Sequence, residues 1–118
     1  MDTRPLDLML PLKPVVFHIL LALSGDESHG YGVIQSVREQ SAGRIQLQTG
    51  AFYRHLRRLL DDGLVEELAP PLGDDPRRGV YYGLTDGGRY VVRAEWRRMA
   101  DLVAATQELG IRTEERSA

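Results

Sequence analysis

The sequence predicts an α+β fold that is mostly α: three helices and a small antiparallel hairpin, followed by one long helix. Three observations carry that expectation. Apolar residues recur at helical spacing in three segments, 14–24, 28–40 and 49–61. Two shorter runs, Leu64–Ala69 and Val80–Leu84, alternate with period two instead, as half-buried strands do. From Thr85 toward Leu109 the helical spacing returns and is sustained far longer than one small domain needs.

Each element has its own signals. Residues 1–13 are expected as an N-terminal arm; Leu6 to Leu12, interrupted by Pro11 and bounded by Pro14, suits packing on a partner subunit's last helix. A first helix enters through Pro14, buries Val15, Val16, Ile19, Leu20 and Leu23, and ends at Ser24-Gly25. Ser28 is the expected cap of a second helix running to Gln40, with Tyr31, Ile34 and Val37 inward and Gly43 as its stop. Arg44-Ile45-Gln46-Leu47 alternates and is expected as a short third strand.

The segment from Thr49 to Tyr82 carries the chemistry. Thr49 is the expected cap of a third helix whose apolar sector holds Phe52, Leu56, Leu59 and Leu60. Arg54, Arg57, Arg58 and Asp61 lie opposite, with Tyr53 at the border and Gly63 as the stop. Any surface helix has a charged outer face, but arginine alone presents a rigid fork suited to phosphate and to the edge of guanine. Between the two strands, Pro70 to Gly79 is rich in proline, glycine and aspartate and must be a loop. Helix, hairpin and polar tip in this order make a winged helix-turn-helix. Arg77 and Arg78 fall on the return arm of that wing, where a phosphate or minor-groove contact is expected; the alternative is that they balance Asp74 and Asp75. Tyr53 and Arg54 are the candidates for base contact, Thr49 and Arg58 for phosphate.

Taken together, several pieces resemble the PadR family of transcriptional regulators. They are His29-Gly30-Tyr31-Gly32 with Ile34, Leu47 to Thr49, Phe52-Tyr53-Arg54 with Leu56 and Leu59, and Gly63-Leu64-Val65. Arg78-Gly79-Val80-Tyr81-Tyr82 with Leu84-Thr85 and Gly87 completes the set. Each piece is weak alone and the ordered set is strong, covering residues 15 to 90. The resemblance implies a homodimeric winged-helix repressor that places one recognition helix per subunit in the major groove of double-stranded DNA. It also implies release by a small aromatic effector, and the short form of the family with a single C-terminal dimerisation helix. His29 stands at the family's HGY position, where a structural bond to backbone or a phosphate contact is expected.

The long helix, 85–110, should determine assembly. Val92, Trp96, Met99, Val103 and Thr106 recur with 4-3-4-3 spacing, flanked by Leu102 and Leu109. Such a seam outruns its own subunit, so a second copy is its natural cover. Trp96 is the candidate for effector contact, the alternative being that it only fills the interface. Arg89, Arg93 and Arg97 form a separate stripe, expected as a solvated face near Glu95 and Asp101, with phosphate contact as the second option. Residues 111–118 are expected as a disordered tail, residues 14–84 as the DNA-binding domain.

Composition excludes more than it selects. The 118 residues carry a formal net charge of −2, unlike a nonspecific nucleic-acid binder. Even within Thr49–Tyr82, carboxylates at positions 61, 62, 66, 67, 74 and 75 match the arginines, so affinity should depend on a dimer and on salt. No cysteine is present, which excludes thiol catalysis, disulfides and thiolate metal sites. Pro14 to Leu23 is too short for a membrane span, and a cytoplasmic protein is expected. His18, His29 and His55 have no carboxylate at motif spacing and form no metal-ligand pair, so neither an enzyme nor a cofactor is expected. The other reading that survives is a winged-helix module that binds protein or acts as a scaffold.

Overall fold

The computed structural model describes residues 1–110 of the chain. Nine elements follow in order: α1 (Arg4–Asp7), α2 (Pro14–Gly25), β1 (Ser28–His29), α3 (Gly30–Gln40), α4 (Thr49–Asp61), β2 (Val65–Leu68), a 3-10 turn (Pro76–Arg78), β3 (Tyr81–Leu84) and α5 (Asp86–Glu108). The expected tail at 111–118 lies outside the described residues.

The strands form one antiparallel sheet in the order β1-β3-β2. β2 and β3 pair as the expected hairpin, with Val65 opposite Leu84 and Leu68 opposite Tyr81. The third strand is not Arg44–Leu47. It is the two-residue β1, which sets Ser28 opposite Tyr82 and His29 opposite Tyr81. The reason lies in Ser41, whose hydroxyl accepts the Ile45 N–H at 3.0 Å and donates to the Arg38 carbonyl at 3.2 Å. A backbone donor committed to a local side chain is lost to a sheet.

The core lies where α2, α3 and α4 meet the sheet. It collects Ile19, Leu20 and Leu23 from α2, Val33 and Val37 from α3, and Phe52, Leu56 and Leu59 from α4. Leu64, Val65, Tyr82 and Leu84 close it from the hairpin, and Val91 from α5. Tyr31 departs from expectation: it points outward, and its hydroxyl accepts from Gln35 on the next turn. Val33 takes the inward place beside Val37.

Two caps also differ. His29, not Ser28, caps α3, its Nδ1 accepting the Gly32 N–H at 3.2 Å. Gln48, not Thr49, holds the N-cap of α4, and Thr49 is the first helical residue. Thr85 does cap α5, its hydroxyl accepting the Gly88 N–H at 3.1 Å. α5 then docks unusually close to the hairpin: a Cβ on Gly88 would lie 2.1 Å from the Leu64 carbonyl oxygen.

The N-terminal arm packs on its own chain. Leu6, Met9, Leu10 and Leu12 pack against the core, and the Tyr90 hydroxyl donates to Asp7 at 2.6 Å. Glu95 fastens the far end. It is 2% exposed, accepts the Leu12 N–H at 2.6 Å and pairs with Arg98. The expectation of Glu95 on a solvated face is therefore corrected. A buried carboxylate must be partnered, and the Leu12 N–H and Arg98 are those partners.

Candidate nucleic-acid interface

α4 sorts its residues cleanly. Phe52, Leu56 and Leu59 are buried, while Thr49, Tyr53, Arg54, Arg57 and Arg58 stand on the surface. The Arg54 guanidinium reaches back over the first turn, with Nη1 3.8 Å from where a Cβ on Gly50 would sit, an ordinary contact distance. Arg58 leans on Asp62 one turn later, N–O 3.5 Å. Among the described residues, Arg54 and Arg57 have no ion-pair partner. They are the cations of this helix that an anion would meet without a competing carboxylate.

Tyr53 sits where α4 crosses the start of α3. Its hydroxyl would lie 2.7 Å from a Cβ on Gly30, so a larger residue there would push the tyrosine tip aside. The Phe52 and Tyr53 rings meet edge to face at 4.9 Å. Burial pushes the Tyr82 phenol up, and the neighbouring Tyr53 hydroxyl and Glu67 carboxylate push it further. Tyr53 is thus a half-exposed bridge between the helix surface and the sheet.

His29 is committed elsewhere. Besides capping α3, its ring meets Tyr81 edge to face at 5.5 Å. β1 and β3 pairing brings the His-Gly-Tyr and Tyr-Tyr segments side by side, which explains physically why those two distant motifs occur together. His55, one residue off the arginine face, is half-buried, and its pKa is lowered by burial first and then by Lys13 and Arg54.

The wing arginines are not free. Arg77 straddles Asp75, with Nη2–Oδ2 at 2.9 Å and both Nε–carboxylate distances at 3.2 Å. Arg78 pairs with Asp74 at 3.0 Å. The Arg77 guanidinium, helped by its backbone N–H, holds the Asp75 carboxyl below its ordinary range. The wing and the arginine face of α4 both belong to the candidate interface, but only α4 presents unpaired cations.

Two surface features escaped sequence reasoning. Gln48 occupies the cap position without a capping bond and is exposed at the start of α4; the signal was a glutamine directly before Thr-Gly. Asp75 pairs with Arg77, as the alternative weighed in the sequence had it; unforeseen is that it also accepts the Arg77 N–H at 3.0 Å and so builds the turn, the signal being the run Asp-Asp-Pro-Arg-Arg.

On α5, the side chains facing the body are Gly88, Val91 and Glu95. The seam beside them is uncovered within the chain. Trp96 is 64% exposed and Val103 55%, with Leu102 and Leu109 also open, while Val92 and Met99 are half-buried. Of the basic stripe, Arg89 is tied to Asp86 and to the Leu84 carbonyl, whereas Arg93 and Arg97 are exposed. No helix among the described residues is long and apolar enough to cross a membrane. Nor do the described residues hold a cluster of three metal-ligating side chains.

Solved structures share this fold. A PadR family transcription regulator from Clostridium difficile superposes with a TM-score of 0.69 at 19% identity, covering 82% of this chain and 98% of its own. A PadR-like transcriptional regulator from Bacillus cereus gives 0.66 at 21% identity, with 86% and 93% covered. A Streptococcus mutans protein gives 0.64 at 23%, with 88% and 97% covered. At these identities the likeness is one of fold. No curated protein sequence matches the chain. The family model described as the transcriptional regulator PadR-like family matches residues 19–94, spanning the core, α4, the wing and the start of α5. The chain belongs to the PadR-like family of transcriptional regulators.

Proposed function

We propose that this regulator acts as a homodimeric repressor that binds a palindromic operator in double-stranded DNA, each subunit laying α4 in the major groove. The observation that carries this reading is the pair Arg54 and Arg57, exposed on a helix whose other face is locked in the core and without carboxylate partners. Tyr53 and Arg54 stand nearest the position of base contact. Thr49, Arg57 and Arg58 flank them toward the phosphates, with the wing arginines on the neighbouring strand of the duplex. His29 supports the site as a cap rather than as a contact. Such a protein works in the cytoplasm beside the chromosome. Its family's members regulate transcription and are not enzymes.

Replacing Arg54 and Arg57 together by alanine tests the assignment on DNA from the protein's own promoter region. We expect retained folding, a loss of about 1–3 kcal/mol for each base contact removed, and a salt slope shallower by about 0.9 for each phosphate contact. If the double variant shifts the DNA as wild type does, α4 is not the reading helix. If wild type itself shifts no DNA, the protein-interaction alternative takes its place.

The strip on α5 formed by the exposed Trp96 and Val103 with the half-buried Val92 and Met99 at its edge is where we place the second subunit and any small aromatic effector. Planar aromatic compounds should quench Trp96 fluorescence at sub-millimolar concentration. If none does, the effector leaves the reading while the repressor remains.

A further inference from the structure

The two ion pairs of the wing look alike in sequence and differ in kind. Asp74 is 10% exposed and its second oxygen, Oδ2, is buried with no protein partner. Its Oδ1 holds Arg78, which is 51% exposed, and its own N–H closes the tip by donating to the Pro71 carbonyl at 3.1 Å. This pair is part of the loop's frame. Separating it strands a buried carboxylate, a costly outcome. Arg77 and Asp75 are instead 89% and 36% exposed. Water already reaches both, and an exposed pair of this kind holds weakly.

From this difference we infer that Arg77 is the exchangeable cation of the wing, and that Asp75 sets the wing's DNA affinity by competing with phosphate for it. The inference rests on the DNA-binding reading above and refines it, because Arg77 and Arg78 are no longer equivalent. Asp75 takes the Nε and Nη2 side of the Arg77 fork, so a phosphate meets a guanidinium that is already neutralised and must displace the carboxylate to use that side. While Asp75 is charged, the pair is electrically neutral. It therefore displaces no counterion when the wing meets DNA, and the binding constant gains nothing from it at low salt. In a chain of net charge −2, such attenuation keeps the wing from holding DNA indiscriminately.

The substitution Asp75→Asn isolates the charge. Asparagine caps as well as aspartate, so its side-chain oxygen still accepts the Arg77 N–H that builds the 3-10 turn. A phosphate contact carries no sequence information, so a fluorescently labelled duplex of mixed sequence is a sufficient probe, titrated by anisotropy over a range of salt. The expected result is binding about two- to five-fold tighter at low salt, the range of one exposed ion pair, with the slope of log K against log salt steeper by about 0.9. In the double variant Asp75→Asn/Arg77→Ala the gain should vanish. If D75N equals wild type, or if its gain persists without Arg77, the inference is overturned while the DNA reading stands. If wild type binds neither this duplex nor its own promoter DNA, the DNA reading fails and this inference with it.

Discussion

Glu95 shows how much one side chain can hold together. Burial alone would push its carboxyl up, yet the Arg98 guanidinium and the Leu12 N–H together hold it below the ordinary carboxylate range. The arm and α5 are thereby tied at residues far apart in the chain. A carboxylate whose folded pKa is depressed contributes stability that is fully present above its unfolded pKa. That contribution is lost as pH falls through the folded value. Glu95→Gln keeps the shape and can still accept from Leu12, but it leaves Arg98 without a counter-charge. We expect it to cost about 1–3 kcal/mol at neutral pH. Thermal melts of the two proteins should converge as the pH is taken down through the carboxylate range. A gap that stays constant would show that shape, not charge, is what Glu95 supplies.

At the scale of elements, the periods in the chain predict most of what forms. α2, α4, α5 and the β2–β3 hairpin fall where alternation and helical spacing place them. The failures share a cause, which is that a short element has no period to read. β1 is two residues long and exists only because β3 offers Tyr81 and Tyr82 as partners. Arg44–Leu47 alternates like a strand, yet one hydroxyl on Ser41 claims its backbone donor. The arm's place on α5 depends on a bond between Leu12 and Glu95, a pairing that no local pattern announces. The candidate site divides similarly. The arginine face of α4 is visible as a stripe, because burial of Phe52, Leu56 and Leu59 forces it outward. What distinguishes Arg78 from Arg77 is the depth of Asp74, and depth follows from how the loop folds over itself. The glycines at 30 and 88 illustrate the same limit. Each meets a neighbour from another element, the movable Tyr53 hydroxyl in one case and the fixed Leu64 carbonyl in the other.

For the whole molecule, the charge balance and the bare strip on α5 belong to one argument. Among the described residues the candidate interface of one subunit offers two unpaired cations on α4, Arg54 and Arg57, and its wing is neutralised from within. Two subunits on one duplex double the number of contacts while the entropic cost of association with DNA is met largely once. On the proposed dimer reading α5 supplies the means, since Trp96, Leu102, Val103 and Leu109 are exposed on a helix about 35 Å long, at 1.5 Å per residue. A contiguous apolar strip of this kind marks an interaction surface. Val103→Glu places a charge in the middle of the strip, at a position 55% exposed within the subunit. Surface changes of that sort alter folding stability by no more than about 0.5 kcal/mol, so the domain itself should melt as before at low protein concentration. By sedimentation the variant should be a monomer where wild type is a dimer. Its binding to promoter DNA should lose about half of the wild-type salt slope, because each lost phosphate contact removes about 0.9 from that slope. A variant that sediments as a dimer and binds with the full slope would move the subunit interface away from α5, to a surface that leaves Trp96 and Val103 in water.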